Sequence, residues 1–464
     1  MMISRSILFV IYSMIGLLLA IACENAEEPE PSYQVHITGQ ITVNAELDTT
    51  GNYSDIELKV LQADTAGAMT DTLFFAVTDS EGNFAGDASI QINDFYSMII
   101  GRYGQNLAHF ELLLAVGDTV HIHAELPDVS ETSDISSLEN DLLAIYDRLH
   151  DNVDRLIQFA SVGHVSEDTL YMEMQKMSDM FWDFYVENRS TYVSRMSAAS
   201  SIRLLEGINE EMMMDRLNHI IDQERQLMPF ASRAGIRYYT QNYNLDRAIA
   251  FTDSLFQKEM DDRLRLELEI DRIKLLYDSA RVDQAKLELS QFKEQYSTFP
   301  EASEWIESFE YDLTTLAPGS EMPDFEIVST DGELISKENL KGKAYVLEFT
   351  RLENFLYQQQ YDRSVAIYHI YRNYDIEFIT IPFGANEILM NAFFDERAKL
   401  WSFAQPGTFE VDQIENQFNI NTLPTRILVD KQGNVVRKYE GTEFNDIIRG
   451  LQIVLNENLE EETL

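Results

Sequence analysis

One cysteine in 464 residues, Cys23, constrains this chain more than any other residue. A single thiol cannot close a disulfide within one copy, so every folded part must be held by buried cores rather than staples. Nor can it cycle a dithiol, which needs two sulfurs. The length suggests about two to four domains, and hydrophobic residues at 45% supply enough apolar surface for their cores. The position of Cys23 is equally informative. It ends an apolar run from Ile7 to Ala22 that follows Arg5, and Leu19-Ala20-Ile21-Ala22 just before it are small or apolar. A charged start, a short apolar core and small residues at a cleavage point read as a secretory signal. The run is short for a membrane span, and no later run reaches spanning length.

With a cysteine at the cleavage point, residues 1–22 resemble a bacterial lipoprotein signal peptide. The resemblance implies cleavage before Cys23 and lipidation of its thiol and new amino group, which leaves the mature chain without a free thiol. It also implies an outer-membrane lipoprotein held by its lipid anchor, on the periplasmic face or at the cell surface. Ala20 stands where leucine is commoner in that signal. Residues 23–32 form an acidic tether in which glutamate and proline oppose compaction. The pair Glu27-Glu28 loosely resembles the surface-export signal of Bacteroidota lipoproteins, and both faces of the envelope stay open.

Charge narrows the partners. Asp and Glu number 79 against 35 Lys and Arg, a net charge of −44. Such a surface repels phosphates, so no nucleic acid partner is expected. It offers no basic patch for anionic lipid, so membrane attachment falls to acyl chains.

Residues 33–128 read as an N-terminal antiparallel β domain. Val35 and Ile37, Ile56, Leu58 and Val60, and Val120 and Ile122 alternate with polar neighbours. Turn signals at Thr50-Gly51-Asn52, Ser80-Glu81-Gly82-Asn83 and Val116-Gly117-Asp118 separate the strands. This pattern predicts a small sandwich or open barrel. The pieces Thr78–Phe84 and Leu113–Val120 resemble a β-rich domain of unknown function found ahead of Bacteroidota thioredoxin-like lipoproteins.

Residues 129–315 read as a central helical region. Ser136-Ser137-Leu138-Glu139 has the form of a capping box. Leu138, Leu142, Ile145, Leu149, Val153 and Leu156 follow at helical steps, and Leu170, Met174, Met177, Phe181 and Phe184 mark a second helix. Further amphipathic stretches cover 211–227, 233–257, 262–280 and 283–296. Residues 265–310, with Ala285 and Pro300, have the rhythm of one tetratricopeptide hairpin; a single unit is too few for an array.

From residue 316 to 464 strand and helix alternate, which implies an α/β sheet with covered faces. Pro318–Phe325, Asp331-Gly332-Glu333-Leu334, Leu340-Lys341-Gly342-Lys343 and Thr422-Leu423-Pro424-Thr425 followed by Ile427–Gly433 resemble, in order, the landmarks of a thioredoxin-like domain of the peroxiredoxin and TlpA type. The chain as a whole is then a multidomain α+β protein. The departure is chemical. The family places Cys-x-x-Cys just after the strand that ends here at Phe349, and its two cysteine positions fall on Asn354 and Tyr357. Neither an amide nor a phenol can attack sulfur, so the domain is expected to be redox-dead and the chain not an enzyme.

Binding is what the resemblance leaves. In the family a cis-proline loop exposes backbone groups to a client peptide, and Leu423-Pro424 occupies that place. Phe355 and Leu356 are placed beside it by the motif, and Trp401 is a further candidate for an apolar wall. A protein or peptide partner is therefore the first expectation. The alternatives are a thiol–disulfide oxidoreductase or peroxidase, which family membership alone would propose, and a glycan-binding accessory lipoprotein.

Other candidates carry less. His121 and His123 share one strand face but lack a third metal ligand in sequence. Met212-Met213-Met214 reads as core filler and His369 as structural. No phosphate loop, zinc-protease motif or nucleophile elbow occurs, so neither cofactor nor metal is expected.

Overall fold

The computed structural model describes residues 33–461 apart from 47, 64–68, 162, 375 and 396. The expected signal segment 1–22, Cys23 and the tether 23–32 lie outside them. The chain divides into two compact units, Met1–Glu224 and Arg225–Leu464, so the helical stretch is shared between them.

The first unit opens with β1 (Tyr33–Val43), β2 (Ile56–Ala63), β3 (Met69–Val77), β4 (Asn83–Ile90), β5 (Asp94–Arg102), β6 (Gln105–Leu114), β7 (Thr119–Leu126) and β8 (Asp134–Ser136). They form two four-stranded sheets, β4-β1-β7-β8 and β3-β2-β5-β6. Alternation sends Val35, Ile37, Leu58, Val60, Val120 and Ile122 into one core, none more than 2% exposed. The turn at 80–83 forms because the Asp79 carboxylate accepts the Glu81 and Asn83 N–H groups, both at 2.9 Å. Gly82 is required there: its φ is +86°, and a Cβ would strike the Ile41 carbonyl oxygen at 2.2 Å. One pairing departs from the antiparallel expectation. β1 and β7 run parallel, with Thr38 opposite His121. Parallel neighbours need a long crossover, and the five intervening strands supply it.

Helices α1 (Leu138–Ser161), α2 (Glu167–Glu187), α3 (Tyr192–Leu205) and α4 (Glu210–Gln223) complete this unit. The capping residue of α1 is Ser137, whose hydroxyl takes the Asn140 N–H at 3.1 Å; Ser136 belongs to β8. Glu139 does not fold back as a capping box would. Its buried carboxylate accepts the Tyr192 and Val193 N–H groups at 2.6 and 3.0 Å, capping α3 from a distance.

The second unit begins with α5 (Met228–Asn242), α6 (Leu245–Phe256), α7 (Asp262–Asp278), α8 (Val282–Tyr296) and α9 (Pro300–Thr315). The amphipathic stretch at 233–257 is divided between α5 and α6, because Asn244 caps α6 by taking the Arg247 N–H at 3.0 Å. The hairpin rhythm at 265–310 falls on α7, α8 and α9, where Ala285 is fully buried. Then come the small hairpin β9 (Glu326–Val328) and β10 (Leu334–Ser336), β11 (Ala344–Thr350), α10 (Phe355–Tyr371), β12 (Ile376–Pro382), α11 (Glu387–Asp395), β13 (Ser402–Phe403), α12 (Val411–Phe418), β14 (Thr425–Val429), β15 (Val435–Glu440) and α13 (Ile447–Glu461). The sheet order is β13-β12-β11-β14-β15. β11, β12 and β13 are parallel, while β14 and β15 are antiparallel to their neighbours. Every residue of β11 is buried, because two apolar clusters sandwich the sheet.

Candidate functional site

The site lies where the first turn of α10 meets the loop before β14. Asn354 is the N-cap of α10, and its side-chain oxygen accepts the Tyr357 N–H at 2.9 Å. Asparagine is favoured there because it satisfies an N–H that the helix leaves unpaired. Its amide nitrogen donates to the Leu423 carbonyl at 3.3 Å. The two positions expected to border one groove are thus in contact. The Leu423–Pro424 peptide bond is cis. Leu423 stands outside the strand ladder, half-buried against the core, and among the described residues its N–H has no hydrogen-bond partner. The expectation that both its N–H and C=O are free is corrected on one side: Asn354 engages the carbonyl.

Phe355 is 73% exposed beside this loop, and Leu356 is half-buried. Trp401 is no wall of the groove. It is buried, stacks on Phe403 at 5.8 Å, and its indole N–H donates to Thr380 at 2.9 Å. Tyr357 is fully buried, stacked on Phe393 and edge-on to Tyr361, both at 5.8 Å. Burial holds its phenol well above the ordinary tyrosine range. Its hydroxyl lies near Thr380 but makes no hydrogen bond of good geometry. A phenol so placed is neither a nucleophile nor a base.

Sequence reasoning passed over what lies beneath. Glu348 and Arg426 face each other across β11 and β14 and are both buried. Arg426 Nε sits 2.7 Å from Glu348 Oε1, and Thr380 donates to the other carboxylate oxygen at 2.6 Å. Arg426 Nη1 donates to Gln360 at 2.9 Å, Gln360 donates to the Gly441 carbonyl at 3.0 Å, and the Gly441 N–H donates to the Pro424 carbonyl at 2.8 Å. The buried carboxylate is therefore linked to the loop by continuous hydrogen bonds. The signal was visible: a lone Glu within the apolar run Tyr345–Phe349, and a lone Arg in Thr425–Val429.

The remaining candidates are separate from this site. His121 and His123 both lie on the exposed face of β7, and His121 shares a 2.7 Å hydrogen bond with Thr38. Among the described residues no group of side chains gathers with them to hold a metal. Met213 is buried in the first unit, and His369 is exposed on α10.

No family model matches the chain. The thiol-disulfide oxidoreductase ResA of Bacillus subtilis (strain 168) is 24% identical over 135 residues, 29% of this chain and 73% of that protein. ResA of Geobacillus kaustophilus (strain HTA426) is 26% identical over 149 residues, 32% of this chain and 83% of that protein. Among solved structures, the thioredoxin domain of a thiol-disulfide oxidoreductase from Bacteroides vulgatus has a TM-score of 0.27 at 19% identity, covering 29% of this chain and 97% of that one. A thiol:disulfide interchange protein of the thioredoxin family from Chlorobium tepidum has 0.26 at 19%, covering 30% and 98%. Sheet order, the helix after β11 and the loop before β14 carry the fold assignment. With one cysteine there is no CxxC pair, which argues against dithiol redox activity. About 30% of the chain is similar to the ResA thiol-disulfide oxidoreductases, and its C-terminal α/β region has the thioredoxin-like fold without a cysteine pair.

Proposed function

We propose that this chain is an envelope-anchored lipoprotein, related to the Bacteroidota thioredoxin-like lipoproteins, whose redox-inactive C-terminal domain binds protein or peptide partners at the Leu423–Pro424 loop. The observation that carries the reading is the Leu423 N–H, unpaired among the described residues, on a loop held to Asn354, the residue just before the exposed Phe355. An extended peptide places a carbonyl on that N–H, which is strand addition on a short scale. Its apolar side chain rests on Phe355 and Leu356. The Asn354–Leu423 bond at 3.3 Å is long, so a stronger donor from the ligand displaces it at small cost.

The experiment is peptide selection on the mature chain, followed by titration of the selected peptide into the parent protein and Leu423→Asp. The reading expects at least about tenfold weaker binding by the variant, a loss of roughly 1.4 kcal/mol, measured well below a thermal midpoint that the carboxylate lowers because Leu423 packs against the core. Equal affinity for both proteins removes the loop from the binding surface.

A further inference from the structure

The turn after β15, Gly441–Asp446, is held from two sides. On one side stands α7. Its Asp278 carboxylate accepts from Arg437 Nη2 at 2.9 Å, and its Lys274 Nζ lies 3.5 Å from Glu443 Oε1. Arg437 also faces Glu443 and Asp446, each at 3.8 Å, and lies over the Tyr439 ring at 4.8 Å. The neighbouring Tyr277 hydroxyl donates to the Leu316 carbonyl at 2.8 Å, fixing the end of the helix. On the other side stands the loop. Gly441 donates to the Pro424 carbonyl, accepts from Gln360, and is followed by Phe444, whose buried ring lies 4.0 Å beneath the Arg426 guanidinium. The turn is stiffened within itself, because the Glu440 and Glu443 side chains cap each other's backbone N–H groups.

We propose that helix α7 is a positioning element for the Leu423–Pro424 loop, acting through the Gly441–Asp446 turn. A run of polar contacts, continued through the backbone from Glu440 to Gly441, joins the two: Asp278 and Lys274 to Arg437 and Glu443, Glu443 to the Glu440 N–H, and the Gly441 N–H to the Pro424 carbonyl. Contiguous hydrogen-bond and ion-pair networks are the physical means by which one element sets another. Partly buried ion pairs suit this use, since they reward one geometry and penalise the rest. The helices from α5 to α9 are then more than a spacer. For its functional consequence the proposal rests on the peptide-binding reading above.

The test uses hydrogen–deuterium exchange on the full mature chain. In Lys274→Met with Asp278→Asn, amides of 421–424 and 441–446 should exchange about tenfold faster while β11 and β12 keep their protection. Lys274→Arg with Asp278→Glu should restore the parent pattern. If the double variant loses protection in β11 as well, Lys274→Met alone decides, because it leaves the Asp278–Arg437 pair in place. Faster exchange confined to α7, or none, overturns the proposal. Titration of a selected peptide separates the two ideas. A loosened loop with unchanged affinity leaves the positioning role standing and removes the loop as the binding site. An unchanged loop in a protein that binds the peptide does the reverse.

Discussion

Arg426 Nε meets Glu348 Oε1 at 2.7 Å in the middle of the thioredoxin-like sheet, with both side chains buried. A buried ion pair is poor evidence of net stability, because its desolvation offsets its attraction. It is strong evidence of interdependence. Each partner makes the burial of the other tolerable.

The two residues should therefore behave asymmetrically on mutation. Arg426→Leu strands a buried carboxylate and should cost about 3–5 kcal/mol, while Glu348→Leu with Arg426→Leu should cost far less or nothing. Chemical denaturation followed by tryptophan fluorescence, to which the buried Trp401 contributes from its hydrogen bond to the Thr380 that also serves Glu348, measures both. Similar losses in the single and double variants would show that packing, not charge, dominates there.

Asn354→Cys should produce a reactive thiol without oxidoreductase activity. The N-cap position on α10 favours a thiolate, so its pKa should fall below the free-cysteine value of about 8.5. Iodoacetamide labelling against pH gives the value, and insulin reduction should stay at the buffer rate because no second thiol resolves the mixed disulfide.

Acidity should act on the second unit through Asp278. Burial, with the Glu443 and Asp446 carboxylates nearby, outweighs the Arg437 guanidinium and pushes its carboxyl up to about 7. The unfolded chain titrates this group near 3.9, so between about pH 4 and pH 7 the folded state holds a proton that the unfolded state has lost. Its contribution is complete below the unfolded value and disappears as pH rises through the folded one. Burial raises the Asp312 carboxyl in the same direction. Asp278→Asn should flatten the fall in stability across this window, by up to about 1.4 kcal/mol per pH unit. Parallel pH profiles for the parent and the variant would remove Asp278 as the cause.

His150 should act in the opposite sense on the first unit. Its ring packs between Tyr146 and Phe181, and burial lowers its pKa despite Asp154 and Asp147 nearby. A histidine with a depressed folded pKa stabilises fully above about 6.5, and that contribution is lost as pH falls toward the folded value. His150→Gln should remove this acid sensitivity in thermal melts, with the midpoint falling less between about pH 8 and pH 5 in the variant than in the parent.

Cys23→Ala should move the protein from the membrane fraction to the soluble envelope fraction and abolish labelling by a palmitate analogue. Unchanged labelling and membrane retention in this variant would remove Cys23 as the anchor.

The thioredoxin-like architecture was legible because its punctuation is local. Asp331-Gly332, Gly342-Lys343 and Leu423-Pro424 are turn and loop chemistry that survives without the catalytic residues. The absence of a cysteine pair was equally legible, since the sequence holds one cysteine. What escaped sequence reasoning was set by distance along the chain. Glu139 reads as a local cap, yet its carboxylate serves Tyr192 and Val193 on another helix. Glu348 and Arg426 are unremarkable alone and become a pair only when β11 and β14 align. Trp401 has the composition of a binding wall but finds a buried hydroxyl for its N–H. The β1–β7 parallel pair depends on strands far apart in sequence, and alternation within a strand carries no direction.

Tyr357 has a meaning for the history this fold can have. Its buried ring, at the position where the motif leads one to expect the second cysteine, ties α10 to α11 through Phe393. A dithiol at the Asn354 and Tyr357 positions must at some step exchange that ring for a small sulfur, at a cost of about 3–5 kcal/mol for a core aromatic. Such an intermediate has one thiol and no activity, so it is a weaker protein with nothing gained. The packing thus sets thiol chemistry against stability: the seated ring is worth more to the core than a lone sulfur in its place.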